Sequence, residues 1–191
     1  MVAPDKQALR AEARAARAQF VADLPITALR FAFRAIPSPL AARLAPFGCV
    51  ALYSGLDDEA PADRLAEPLR KLGKTVALPA IGAGPGEMTF LRWDADDALV
   101  TGRYGILQPS PGAPAVTPGA IVAPMIAFDH ALNRLGQGGG YYDRAFAAYP
   151  LALRIGLAWS AQQMDALPVD PWDMGLDFIL TERALFERDG A

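Results

Sequence analysis

Short apolar runs alternate with longer, more polar stretches of helix-forming residues along this chain. Gly48 to Ser54, Thr75 to Pro79, Ile121 to Phe128, Leu151 to Trp159 and Asp177 to Leu180 each have the length and apolar character of a buried strand. Met88 to Trp93 alternates apolar with polar and predicts a further strand. Asp5 to Asp23, rich in Ala, Leu and Arg, predicts a helix. Thr27 to Ile36 predicts a second, stopped by Pro37 and Pro39, with a further turn over Leu40 to Leu44. Another helix begins near Pro61, and Pro68 is placed to kink or split it. Tyr141 to Tyr149 predicts a helix, Gln162 to Leu167 a helical turn, and Thr181 to Arg188 a terminal helix capped by Thr181. Ile81 to Gly86 is a glycine-rich loop and Asp94 to Thr101 a polar connection. Pro109, Pro111, Pro114 and Pro118 exclude a regular element from Tyr104 to Gly119. Strands alternating with helices, without a tandem repeat, predict an α/β fold of three layers around a mainly parallel central sheet. The expected organisation is one domain over residues 1–191.

Composition narrows the function. At 52% hydrophobic and 20% charged, the chain has ample material for a core. A net charge of −3 gives no general case for nucleic acid. No apolar run approaches a membrane span, and the N-terminus lacks the apolar stretch of a secretory signal. Cys49 alone excludes an internal disulfide and a cysteine zinc site, and its apolar neighbours suit a buried thiol. His130 alone excludes a multi-histidine metal site, and no Gly-x-Ser-x-Gly accompanies it. These features predict a cytoplasmic soluble protein; a monomer or weak homodimer is the expected state, which the sequence itself does not give.

The candidate chemistry centres on Arg134 to Arg144, Arg-Leu-Gly-Gln-Gly-Gly-Gly-Tyr-Tyr-Asp-Arg. Gly136, Gly138, Gly139 and Gly140 crowd into five positions, an ordering cost that a left-handed turn or a close backbone approach would justify. Successive N–H groups there can form an anion-binding nest, and the helix beginning at Tyr141 adds the positive end of its dipole. A flexible surface loop is the alternative. The spacing fits neither common phosphate loop. No Gly-Lys-Ser/Thr follows, and Tyr141 stands where a dinucleotide fingerprint has its last glycine. On the first helix, Lys6, Arg10, Arg14 and Arg17 fall at i, i+4, i+8 and i+11, on one face. That face either meets solvent or lays cations across an anionic ligand.

Lys6-Gln7-Ala8-Leu9-Arg10, the segment from Tyr53-Ser54 to Glu59, Met88-Thr89-Phe90, Tyr104-Gly105-Ile106, Ala127-Phe128-Asp129, the Arg134–Arg144 block, Gln163 with Leu167-Pro168, and Asp173-Met174 follow one another in that order. The series resembles the 5-formyltetrahydrofolate cyclo-ligase (methenyltetrahydrofolate synthetase) family over nearly the whole chain. The resemblance implies the Rossmann-like fold of sugar-phosphate isomerases and coenzyme A transferases. It implies ATP- and Mg²⁺-dependent conversion of 5-formyltetrahydrofolate to 5,10-methenyltetrahydrofolate, with release of ADP and phosphate. No nucleophile of the protein's own is needed, which agrees with the missing triad.

By matched position, the resemblance implies the following roles as expectations. Lys6 and Arg10, with the helix 5–23 as their carrier, meet ATP, as do Arg134, Gly136, Gln137, Gly138, Gly139, Gly140, Tyr141 and Tyr142. Ser54 and Glu59 meet folate, together with Gln137, Gly138, Gly139, Gly140 and Tyr141. Arg134, Tyr141 and Asp143 carry the catalytic step. Asp143 and Asp173 hold magnesium. Phe90, Trp93, Phe128 and Tyr141 are candidates to flank the pterin. Gln137, Gly139 and Gln108 depart from residues that family members often carry there. Two other readings stay open: a sugar-phosphate isomerase or transferase without ATP, and a non-catalytic folate- or nucleotide-binding module.

Overall fold

A computed structural model describes residues 5–56, 58–82, 84 and 86–188. Its helices are α1 (Lys6–Asp23), α2 (Ile26–Phe31), α3 (Ser38–Leu44), α4 (Ala66–Lys71) and α5 (Tyr141–Ala148). The strands are β1 (Cys49–Ala51), β2 (Thr75–Ile81), β3 (Met88–Arg92), β4 (Leu99–Thr101), β5 (Leu107–Pro109), β6 (Ala120–Ala123), β7 (Ala127–Asp129), β8 (Arg134–Leu135), β9 (Leu153–Leu157), β10 (Gln163–Met164), β11 (Phe178–Leu180) and β12 (Leu185–Glu187). A seven-stranded sheet runs β12-β11-β9-β6-β1-β2-β3. Its five inner strands are parallel and both edge strands antiparallel. A mixed α/β fold with a mostly parallel sheet is therefore what the apolar runs encode.

Alternation along the inner strands divides the core into two layers. Val50, Val76, Leu78, Val122 and Ile155 face one way, against Leu40 and Leu44 of α3 and Leu69 of α4. Ala51, Ala77, Ile121 and Ala123 face the other way, against Ala145 and Phe146 of α5. The C-terminal half of α1 adds Phe20 and Val21 to the first layer. Its N-terminal half puts Leu9 and Ala13 against Ile126, Ala127 and Leu135 of a small β10-β7-β8 sheet. From β1 the chain moves to β2 on one side, and later to β6, β9 and β11 on the other. The strand order thus reverses between β1 and β6, and ligands bind beyond the strand C-termini at such a point.

Several elements differ from the sequence expectation, each for a local reason. Helix α2 stops at Phe31 because Phe33 takes a left-handed φ of 59°, which packs its ring on Trp159 at 5.0 Å. Pro39 sits in the first turn of α3 and so starts a helix there. A 3-10 turn at Ala62–Leu65 precedes α4, with Pro68 inside the first turn. Pro124 divides the run Ile121 to Phe128, sending Ala120–Ala123 and Ala127–Asp129 to different sheets. The polar connection and the proline-rich segment contribute β4 and β5, paired as a hairpin that ends at Pro109. Gln163 and Met164 pair with Phe128 and Asp129 where a helical turn was expected. No terminal helix forms among the described residues. Thr181 Oγ1 accepts from the Arg183 and Ala184 N–H groups, and this turn returns the chain as β12. The same hydroxyl chemistry serves a helix cap and a turn, so the sequence alone does not distinguish them. In the loop 81–86, Ala83 and Pro85 lie outside the described residues.

Candidate active site

The glycine loop leaves β8 and enters α5. Buried Asp129 fixes its start: Oδ1 accepts from the Ala131 and Asn133 N–H groups at 3.0 and 2.9 Å, and Oδ2 from Leu167 N–H at 3.1 Å. Gly138 and Gly140 then take left-handed φ values of 99° and 64°. A side chain is strained at either position. Gly140 is the N-cap of α5, so the loop's backbone turns directly into a helix N-terminus.

Helix α1 lies beside this loop, with Arg17 buried and Arg14 reaching the loop at the surface. Asp5 caps it by accepting from Gln7 N–H at 2.8 Å. Arg10 Nε donates to Gly136 O at 2.9 Å. Arg14 donates from Nε and Nη2 to Gln137 Oε1 at 3.1 and 2.6 Å. Lys6 Nζ stands 2.6 Å from both Asp170 and Asp173. Arg17, 3% exposed, donates to Asp58 at 2.8 and 3.1 Å and to Met125 O at 3.3 Å. The one-faced spacing of these four residues is therefore a docking face.

Arg134 and Asp143 form a pair at 2.7 Å across the loop. The Arg134 side chain is 5% exposed and lies over the rings of Tyr142 and Phe146. Asp143 Oδ1 also accepts from Met174 N–H at 3.4 Å, which draws the segment around Asp173 toward α5. Burial pushes the Asp173 carboxyl up, but the Asp170 N–H and the Lys6 ammonium outweigh it and hold the group below its usual value. Burial pulls Lys6 down, and its hydrogen bonds and charge contacts with the two aspartates raise it on balance. The donor chemistry fits a hard divalent cation. Asp143 Oδ2 and Asp173 Oδ1 accept no hydrogen bond among the described residues. Nor do three His, Cys, Asp or Glu side chains there converge into a self-sufficient metal site. Two carboxylates completed by ligand oxygens and water is the usual way Mg²⁺ is held.

Glu59, 9% exposed, is the buried anion of the site. Its Oε2 accepts from Leu56 N–H at 3.0 Å, while Arg17 and Gln137 stand 3.8 and 3.5 Å from Oε1. Burial raises its carboxyl above the usual value, against the pull of the Leu56 N–H, Arg17 and Gln137. Burial, with Glu59 adding to it, also pushes the Tyr142 phenol well up.

One cavity of about 1020 Å³ opens between α1 and the glycine loop. Lys6, Arg10, Ser54, Glu59, Arg134, the loop Gly136–Gly140, Tyr141, Tyr142, Asp143 and Asp173 all line it. Tyr53 and Ser54 reach it from the end of β1 and Pro124 from the end of β6, where the strand order reverses. Phe90 and Phe128 do not line it, since both are fully buried in the core, and Trp93 packs under Arg70 at 4.8 Å. Of the four candidate aromatics, only Tyr141 faces the cavity. Sequence reasoning left Tyr104 without a role. It takes a left-handed φ of 60°, and its hydroxyl lies 3.3 Å from that of Tyr141. Strain of this kind concentrates at ligand sites. Asp170 and Trp172 were missed too, having no signal beyond proximity to Asp173. Gln108 Oε1 accepts from Ile81 N–H at 3.3 Å, bracing the β2–β3 connection.

Fold and cavity together define an α/β protein with a large cavity at the switch point of a doubly wound sheet, between a cationic helix and a glycine loop. The 5-formyltetrahydrofolate cyclo-ligase family matches residues 2–182. The 5-formyltetrahydrofolate cyclo-ligase of Escherichia coli K12 is 32% identical over 145 residues, covering 72% of this chain and 80% of that protein. The solved structure of the 5,10-methenyltetrahydrofolate synthetase of Aquifex aeolicus is similar with a TM-score of 0.74 and 28% identity, over 97% of this chain and 94% of that one. That of Mycoplasma pneumoniae has a TM-score of 0.68 and 25% identity, over 93% and 99%. The chain belongs to the 5-formyltetrahydrofolate cyclo-ligase family and is an enzyme of that family.

Proposed function

We propose that the enzyme uses ATP, with Mg²⁺, to close 5-formyltetrahydrofolate into 5,10-methenyltetrahydrofolate, releasing ADP and phosphate. The observation that carries this reading is a single cavity of about 1020 Å³ in which cations, glycine backbone, two carboxylates and a buried glutamate converge. That volume lies at the upper end of small-molecule sites. It suits a nucleotide and a folate side by side better than one sugar phosphate.

Phosphoryl transfer is catalysed mainly by positioning and charge neutralisation, and these residues are of that kind. Lys6 and Arg10 would meet the phosphates as cations, with the Gly136–Gly140 N–H groups and the α5 N-terminus beside them. Asp143 and Asp173 would hold Mg²⁺, which when bound offsets phosphate charge. Arg134, fixed by Asp143 and the two rings, presents a charge that cannot swing away. Among the described residues Glu59 has one donor closer than 3.5 Å, so the N–H groups of a pterin would add partners to a buried carboxylate. Tyr104, Tyr141, Leu56, Ile81, Met88 and Ile106 supply apolar walls for the ring.

In the proposed sequence, the formyl oxygen attacks the γ-phosphorus and ADP leaves. The folate N10 then attacks the formyl carbon and gives up its proton to the departing phosphate. The C–O bond breaks, and phosphate departs carrying the formyl oxygen. Purified enzyme given 5-formyltetrahydrofolate, ATP and Mg²⁺ should develop the near-ultraviolet absorbance of the methenyl product. No product, or equal product without ATP, contradicts the reading.

A further inference from the structure

Gln137 stands between two groups of opposite charge that share no hydrogen bond or ion pair among the described residues. Its Oε1 accepts from Arg14 Nε and Nη2 at 3.1 and 2.6 Å, and its Nε2 donates to Glu59 Oε1 at 3.5 Å. An amide is the side chain that can do both, offering an acceptor to the cation and donors to the anion without net charge. A carboxylate at this position would face Glu59 as a like charge, and an ammonium or guanidinium would face Arg14 as one. The neighbouring backbone is pinned to the same helix, since Gly136 O accepts from Arg10. Glu59 is approached from α1 a second time by Arg17 at 3.8 Å. The buried glutamate is therefore held against α1 by two routes, and only the Gln137 route passes through the glycine loop.

We propose that Gln137 is a positioning residue that couples α1 to Glu59, so that affinity for the folate substrate depends on Arg14, a side chain outside the cavity lining. The inference rests on Glu59 being the folate-side carboxylate. By reciprocity, a ligand that draws Arg14 and the glycine loop together strengthens folate binding, and folate strengthens binding of that ligand by the same factor.

A double-mutant cycle tests this. 5-Formyltetrahydrofolate is titrated, without nucleotide, into wild type, Arg14→Ala, Gln137→Met and the double variant, following intrinsic fluorescence. Arg14 and Gln137 lie at the surface, so all four proteins should fold. Arg14→Ala should raise the dissociation constant roughly three- to tenfold in the wild-type background, and less than about twofold in the Gln137→Met background. Gln137→Glu should weaken folate binding more than Gln137→Met. An equal effect of Arg14→Ala in both backgrounds, or a Gln137→Met variant that binds folate as wild type does, overturns the coupling alone. Wild-type protein that neither binds nor converts 5-formyltetrahydrofolate overturns the functional reading, and this inference with it.

Discussion

Glu59 is buried, and this sets its pH behaviour. Its carboxyl is raised by burial, so the folded state prefers the neutral form more than the unfolded state does. For a raised acid, the folded state holds the proton longer. Stability is then fully present below the unfolded value of about 4 and declines as pH rises through the folded value. Glu59→Gln, which can still accept from Leu56 N–H, should therefore match or exceed wild type in melting temperature at pH 7 to 8. The difference should shrink toward pH 4, while the KM for folate rises at least tenfold. Calorimetry across that pH range checks it, and a variant destabilised at pH 8 contradicts it. Asp143 behaves differently, because its partner Arg134 is almost fully enclosed. Asp143→Ala should abolish turnover and also cost roughly 1–3 kcal/mol, since a buried guanidinium loses its counter-charge. Denaturant unfolding separates the two effects, because Asp143→Asn keeps a hydrogen-bond acceptor and should recover part of the stability but little turnover.

At the scale of elements, the site is a loop and a helix locked together. Gly138 has room for a methyl group, whose nearest neighbour would be Arg10 at 3.6 Å, but its φ of 99° disfavours any side chain. Gly138→Ala should cost about 1 kcal/mol, a melting shift of about 2–4 °C at this chain length, and should raise the KM for ATP. An unchanged melting point would mean that the loop relaxes around the substitution. Lys6→Met should raise the KM for ATP more than that for folate, and the reverse order would contradict the placement of α1 on the nucleotide side.

The inner strands and α1 were legible because a continuous apolar run and a one-faced cation spacing each admit few structures. Elements whose residues serve two purposes were not. Pro39 starts a helix as readily as it ends one, and Thr181 closes a turn with the hydroxyl that would cap a helix. Pro124 inside one apolar run marks a change of sheet that only the tertiary pairing reveals. Within the site, the glycine loop was visible through its composition, and the distant partners were tied to it by order along the chain. Asp170, Tyr104 and the inward face of Arg17 were not visible, because their roles come from contacts across more than 35 residues of sequence.

Taken whole, the molecule opens its cavity where a doubly wound sheet reverses, and borders that point with α1 on one side and the glycine loop on another. Among the described residues, neither the cysteine nor the histidine is placed to attack a ligand in the cavity. Cys49 is half-buried with its thiol pushed up by burial, and His130 is exposed, 3.2 Å from Gln163 and outside the cavity lining. The chemistry proposed therefore passes directly between the substrates, with the formyl oxygen as the attacking atom. That claim is open to an isotope measurement. With 5-formyltetrahydrofolate carrying ¹⁸O in its formyl group, the phosphate released during ATP-dependent turnover should contain one ¹⁸O per methenyl product formed. Unlabelled phosphate, with the label found in water, would contradict direct attack on the γ-phosphate.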